Sequence, residues 1–156
     1  MRRVGRSPDP TRRFTLRQGV YAILPHARGI LLTGQADIAW DGNAFERAGL
    51  EVQLPGGGID PGEAPVPALH REVYEETGWH IAAPRRLGAF REFVYMPEYD
   101  LWAEKICTVY VARPVRPVGP PTDPGHTALI LPFGEALAML ANPGSRSFLS
   151  RYVPGP

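Results

Sequence analysis

The chain has 156 residues, 17 Lys+Arg against 16 Asp+Glu, and 44% hydrophobic residues. Those values fit one globular domain with a real core, and a net charge of +1 gives no electrostatic case for wrapping nucleic acid. No apolar stretch reaches the roughly 20 residues that span a bilayer, and one cysteine, Cys107, excludes an intrachain disulfide and argues against a zinc cluster, so a soluble cytoplasmic protein is expected.

Residues 1–14 carry Arg2, Arg3, Arg6, Arg12 and Arg13 with no apolar run behind them, which reads as a flexible basic tail. Residues 15–156 then form a single domain. GVYAILP and GILLTGQ, separated by HAR, predict a strand hairpin. ADIAWDGNAFERAGL is a connector, and EVQLP is a strand that stops at Pro55. The three glycines that follow are a poor choice for any strand or helix interior.

From Gly62 to Thr77 the pattern is helical. At about 100° per residue, Val66, Leu69, Val73 and Thr77 share one side, and Glu72, Glu75 and Glu76 fill an arc beside it. Pro65 and Pro67 belong to the start, where a missing N–H costs little, and Gly78 supplies the stop. GAFREFVYM and AEKICTVYVARPV predict strands joined by PEYDLW. The proline-rich loop RPVGPPTDPG, a short strand TALILP and helices in FGEALAMLA and SRSFLSRYV complete the chain. That order predicts an α/β or α+β fold with the Glu-rich helix against a sheet.

The stretch REVYEETGW concentrates negative charge. Glu72 neighbours both Glu75 and Glu76 on a helix, and like-charged pairs at that spacing cost about 0.2–0.5 kcal/mol each. Arg71 reaches Glu75 but cannot neutralise all three. Such a face is either solvated or a site for a hard cation, and oxygen donors of this kind suit Mg2+ or Mn2+. With a metal on a diphosphate, a held water and a carboxylate to take its proton, the same face suits phosphoryl chemistry.

The flanking residues decide between these. Gly57, Glu63, Arg71, Glu72, Val73, Glu75, Glu76, Gly78 and Trp79 fall at fixed gaps within 23 residues, and this spacing resembles the signature of the Nudix hydrolases in every fixed position. The resemblance implies an α/β/α sandwich with a mixed sheet. It also implies Mg2+-dependent hydrolysis of a nucleoside diphosphate linked to another group, with Mn2+ as an alternative ion. By resemblance Glu75 and Glu76 are metal ligands, Glu72 is a ligand or the base, and the Gly56 carbonyl is a further ligand. Arg71 is expected to orient Glu63 or Glu75. Trp79 stands where Ile, Leu or Val is common, and Val52 where an aromatic is common. A Nudix-like module that senses a nucleotide without cleaving it is the alternative, and none of the motif carboxylates is lost.

Outside the motif, the resemblance implies that a strand carboxylate can complete the metal site or act as base, and Glu104 is the expected one. Glu92, Glu98, Asp100, Phe93, Tyr95, Tyr99 and Trp102 form an acid and aromatic segment expected to meet a nucleobase or to be ordinary sheet surface. His126 is a candidate base or phosphate contact, against the plainer reading of a loop histidine, and Arg91 a candidate phosphate contact. The expected partner is a nucleotide-type small molecule, with nucleic acid relevant only as an RNA 5′ end. Substrate choice is expected around Trp40 and Tyr99, and the oligomeric state is open.

Overall fold

A computed structural model describes residues 1–37 and 48–152, so Trp40 and most of the connector lie outside the described residues. In chain order the elements are β1 (Arg2–Val4), β2 (Thr15–Ile23), β3 (Pro25–His26), β4 (Gly29–Asp37), β5 (Ala48–Gln53), β6 (Gly56–Gly58), α1 (Pro65–Thr77), β7 (Trp79–Met96), β8 (Leu101–Pro117), β9 (His126–Leu131), α2 (Phe133–Met139) and α3 (Pro143–Arg151). One sheet has the order β1-β7-β8-β2-β6, with β2 parallel to β8 and β7 antiparallel to it. In the other, β4 pairs antiparallel with β3, β5 and β9.

Alternation along the strands builds two cores. Val20 and Ala22 of β2, Leu31 of β4 and Tyr110 and Ala112 of β8 pack on Ala68, Leu69 and Val73 of α1. The opposite faces, through Ile30, Leu32, Phe90, Cys107 and Val109, meet Ala136, Leu140 and Leu149 from α2 and α3. Helices therefore cover both sides of a mixed β structure, as expected. No helix among the described residues is long and apolar enough to cross a membrane.

Three local readings are corrected. The predicted hairpin forms only at its tip, because β2 pairs with β8 and the chain changes sheets at Leu24, which is fully buried. Pro25 cannot donate to a continuing ladder, and only the two-residue β3 folds back on β4. The glycines are a strand after all, an edge paired with β2 through Gly19↔Gly58, Val20↔Gly57 and Tyr21↔Gly56. At the start of the stretch read as a flexible tail, Arg2–Val4 pairs in parallel with Phe90–Glu92 of β7. Further along it, the Arg12 guanidinium lies 3.8 Å from the Trp102 ring centre, a cation–π contact that holds the segment down.

Gly78 ends α1 with φ 75 and a backbone bond from its N–H to the Tyr74 carbonyl. A Cβ there would meet the Gly119 carbonyl oxygen, because the proline-rich loop docks against the helix end. Val118 N–H donates to Gly78 O at 2.8 Å, and Thr122 and Asp123 N–H both donate to Glu75 O at 2.9 Å. The Thr33 hydroxyl donates to the Glu76 carbonyl at 3.2 Å. These bonds serve carbonyls that a helix end leaves open. Gly78→Ala is expected to cost about 2–4 kcal/mol, from the left-handed backbone and the lost loop bonds. Urea unfolding checks this, and a loss below about 0.5 kcal/mol, the low end for one hydrogen bond, would show that the loop yields freely.

Candidate active site

The motif acids gather around one guanidinium. Arg71 Nε and Nη2 donate to the two oxygens of Glu63, both at 2.8 Å, in a bidentate pair. Its Nη1 donates to Glu72 at 3.0 Å and Glu75 at 3.2 Å, and Nη2 also reaches the Gly58 carbonyl at 3.0 Å. Arg71 thus holds Glu63, Glu72 and Glu75 together. Such a fork holds planar carboxylates in fixed directions. Gly57 provides the space, since a Cβ on it would sit 2.5 Å from Glu72 Oε2.

Glu63 is held down at about 2, chiefly by its bond from Arg71. A carboxyl with a depressed folded value contributes stability above its unfolded value, and that contribution is lost as pH falls through the folded one. The melting-temperature gap between wild type and Glu63→Gln is therefore expected to be largest near neutrality and to close between pH 4.5 and about 2. A gap that stays constant over that window would remove the assignment.

Glu76 differs from its neighbours by being 6% exposed. Its Oε1 accepts the Gly56 N–H at 2.9 Å. Burial pushes its carboxyl up to about 8, with Glu72, Asp123 and Glu75 adding to the rise, and burial also raises Glu72 against the pull of Arg71. His126 Nε2 stands 3.4 Å from Glu76 Oε2 and 3.9 Å from Asp123 Oδ2, and one donor atom from each of the three lies within 4.8 Å of the others. Oxygen and imidazole donors at this spacing fit a divalent ion. A cation there would also relieve the charge that burial disfavours.

The structure thus brings together Gly56, Arg71, Glu72, Glu75 and Glu76, and adds His126 and Asp123. Asp123 was missed, although TDPGH puts an acid three residues before a histidine. Glu104 is not brought in. It pairs with Arg91 at 3.5 Å, and its register partner Leu16 lies four residues from Val20, the ladder partner of Gly57, or about 13 Å along the strand. Val52 is buried, and Tyr95 and Trp102 pack against each other in a tilted pair near the far end of the β7–β8 hairpin.

A cavity of about 320 Å3 opens on the sheet face away from α1, lined by Tyr21, Phe90, Glu92, Lys105, Cys107 and Asn142 among others. Burial pushes the Tyr21 hydroxyl and the Cys107 thiol up to about 12, so both are neutral. Burial opposes the charge of Lys105, the only lysine, yet its pKa lies above the ordinary value, with Glu92 among the groups that raise it and 3.7 Å away. Asn142 donates to the same carboxylate at 3.2 Å. Glu92 thus belongs to the cavity, while Phe93, paired with Glu104, points to the other face.

A family model described as the NUDIX domain matches residues 15–152. The chain belongs to that family. A Bacillus subtilis (strain 168) relative, provisionally named an 8-oxo-dGTP diphosphatase, is 33% identical over 87 residues, which are 54% of this chain and 50% of that protein. The match thus spans about half the length of the curated relative. Among solved structures, a NUDIX hydrolase from Nitrosomonas europaea superposes with TM-score 0.67 at 18% identity, covering 87% of each chain. A mutator MutT protein from Bacillus halodurans gives 0.65 at 18%, covering 86% of this chain and 80% of that one. Those similarities establish the NUDIX fold.

Proposed function

We propose that this NUDIX protein is a metal-dependent pyrophosphohydrolase that cleaves a phosphoanhydride bond of a nucleotide, with Mg2+ as the working ion and Mn2+ as a substitute. The observation that carries the reading is the buried Glu76 carboxylate, held by the Gly56 N–H beside Glu72, Glu75, Asp123 and His126. The side chains of Glu72, Glu75 and Glu76 and the carbonyl of Gly56 would hold the ion. When bound it supplies charge neutralisation for the diphosphate and a more acidic water.

The chain's own residues do the rest. Glu72, partly buried and raised in pKa by that burial, accepts the proton of the attacking water, which a raised carboxyl does better than an exposed one. Arg71 positions Glu72 and Glu75 and keeps them apart. Glu104 has no part in this reading because of its distance along β8.

The cavity takes the base. Tyr21 lines it and is also the ladder partner of Gly56, so a nucleotide seated there extends its phosphates toward Glu76. Glu92 accepts hydrogen bonds from the base edge, and Lys105 and Asn142 donate to its carbonyl oxygens. A purine nucleoside triphosphate presents such adjacent donors and acceptors, and the name of the Bacillus subtilis relative is a reason to test 8-oxo-dGTP first. Product release measured over a panel of ordinary and oxidised nucleoside triphosphates, dinucleoside polyphosphates, ADP-ribose and triphosphorylated RNA, with Mg2+ and with Mn2+, tests the proposal. Lys105→Ala is expected to raise KM for the preferred nucleotide about tenfold with a smaller change in kcat, the signature of lost binding. Binding without release for every substrate would favour the nucleotide-sensing alternative.

A further inference from the structure

We propose that His126 supplies a nitrogen ligand, through Nε2, to a divalent ion shared with Glu76 and Asp123. This gives the site a preference for ions that accept imidazole, such as Co2+ and Zn2+, over Mg2+. The inference rests on the metal-dependent reading above and extends it from an all-oxygen set to a mixed one.

A short relay supports the ligating tautomer of His126. Thr33 Oγ1 lies 3.2 Å from the Glu76 carbonyl, a group that only accepts, and 2.9 Å from His126 Nδ1. When its one proton goes to that carbonyl, the hydroxyl accepts from Nδ1, and Nδ1 carries the hydrogen. In the neutral ring that leaves the lone pair on Nε2, the arrangement in which a histidine ligates a metal while its other nitrogen is held by a hydrogen bond. The ring is 7% exposed and its Nε2 faces Glu76 Oε2 at 3.4 Å and Asp123 Oδ2 at 3.9 Å. Among the described residues Nε2 makes no hydrogen bond. Its two separations exceed the roughly 2.7–3.2 Å of an N–H···O bond. Donors on one ion with bonds of about 2.0–2.2 Å stand about 3.0–3.5 Å apart, a spacing that the 3.4 Å to Glu76 meets and the 3.9 Å to Asp123 exceeds slightly. The Glu76 and Asp123 oxygens and an imidazole lone pair converge where Glu76 and the ring are buried and Asp123 is half-exposed, and a cation between them would favour the charged carboxylates. Mg2+ takes oxygen donors by preference, whereas Co2+ and Zn2+ gain from imidazole.

Pulsed electron paramagnetic resonance of Mn2+ bound to the full chain reads the ligand atom directly. Wild type is expected to show histidine 14N coupling that becomes 15N coupling when histidine is isotopically labelled. His126→Asn, whose amide can still donate to Thr33, is expected to bind Mn2+ without that coupling. Calorimetry should show Co2+ affinity falling by about tenfold or more in His126→Asn and by a smaller factor in Thr33→Val, with Mg2+ affinity changed less than about threefold in both. Mn2+ bound to wild type with no nitrogen coupling overturns the ligand assignment and leaves the carboxylate site standing. Equal losses for Mg2+ and Co2+ would assign His126 a purely structural role and also overturn it. A folded wild type that binds none of these ions overturns both readings.

Discussion

Glu76→Gln is expected to lower turnover on the order of 10³-fold while the protein stays folded. Glutamine keeps the volume and the oxygen that accepts the Gly56 N–H, and removes only the charge. The buried carboxyl also makes a stability prediction of definite sign. Its folded pKa of about 8 lies above the ordinary 4.5, so the metal-free wild type holds its full stability below about 4.5 and loses it as pH rises through about 8. The glutamine variant has no such decline. At pH 9 without metal it should melt above wild type, and adding Mg2+ should raise the melting temperature of wild type much more than that of the variant. Near-wild-type turnover in Glu76→Gln would end the catalytic reading.

Gly57→Ala is expected to cost on the order of 10²-fold in kcat, because a displacement of about 1 Å in a catalytic group is worth that much. The added methyl would stand 2.5 Å from Glu72 Oε2 and 2.6 Å from its Cδ. The carboxylate is the end of a flexible side chain and moves aside, so the fold survives and the site does not. Gly58→Ala is the control one residue away, where a Cβ meets nothing within 4 Å. Equal activity in the two variants would show that the position of Glu72 does not matter.

The Glu-rich helix was legible because its information is local: the proline pair, the apolar period and the glycine stop lie within one run of residues. Even the burial of Glu76 was latent there, since at 100° per residue it stands about 20° from Leu69 on the helix wheel. Val66, grouped with the buried side, is 37% exposed, because it lies in the first turn of α1. The division of strands between two sheets was not legible, as it depends on the chain crossing over at Leu24 and Pro25 and on pairings between segments about 90 residues apart. For the same reason Asp123 and His126 carried no local sign of their place. They reach Glu76 through the pairing of β9 with β4 and the docking of the loop on α1. Glu104 was chosen for its residue type, and strand register placed it elsewhere. The cavity was hidden likewise, since Tyr21, Glu92, Lys105 and Asn142 come from three strands and the start of a helix.

The loop that carries Asp123 is fastened to α1 by the main-chain N–H groups of Thr122 and Asp123. A backbone fastening depends on the N–H groups and not on the side chains, so residues 122 and 123 can be exchanged for any residue but proline without losing these bonds. In evolutionary terms this separates inheritance of the scaffold from variation of its chemistry. A descendant could replace the acid at 123 by another donor in one substitution, and a designer could screen ion preference there with a library of two positions.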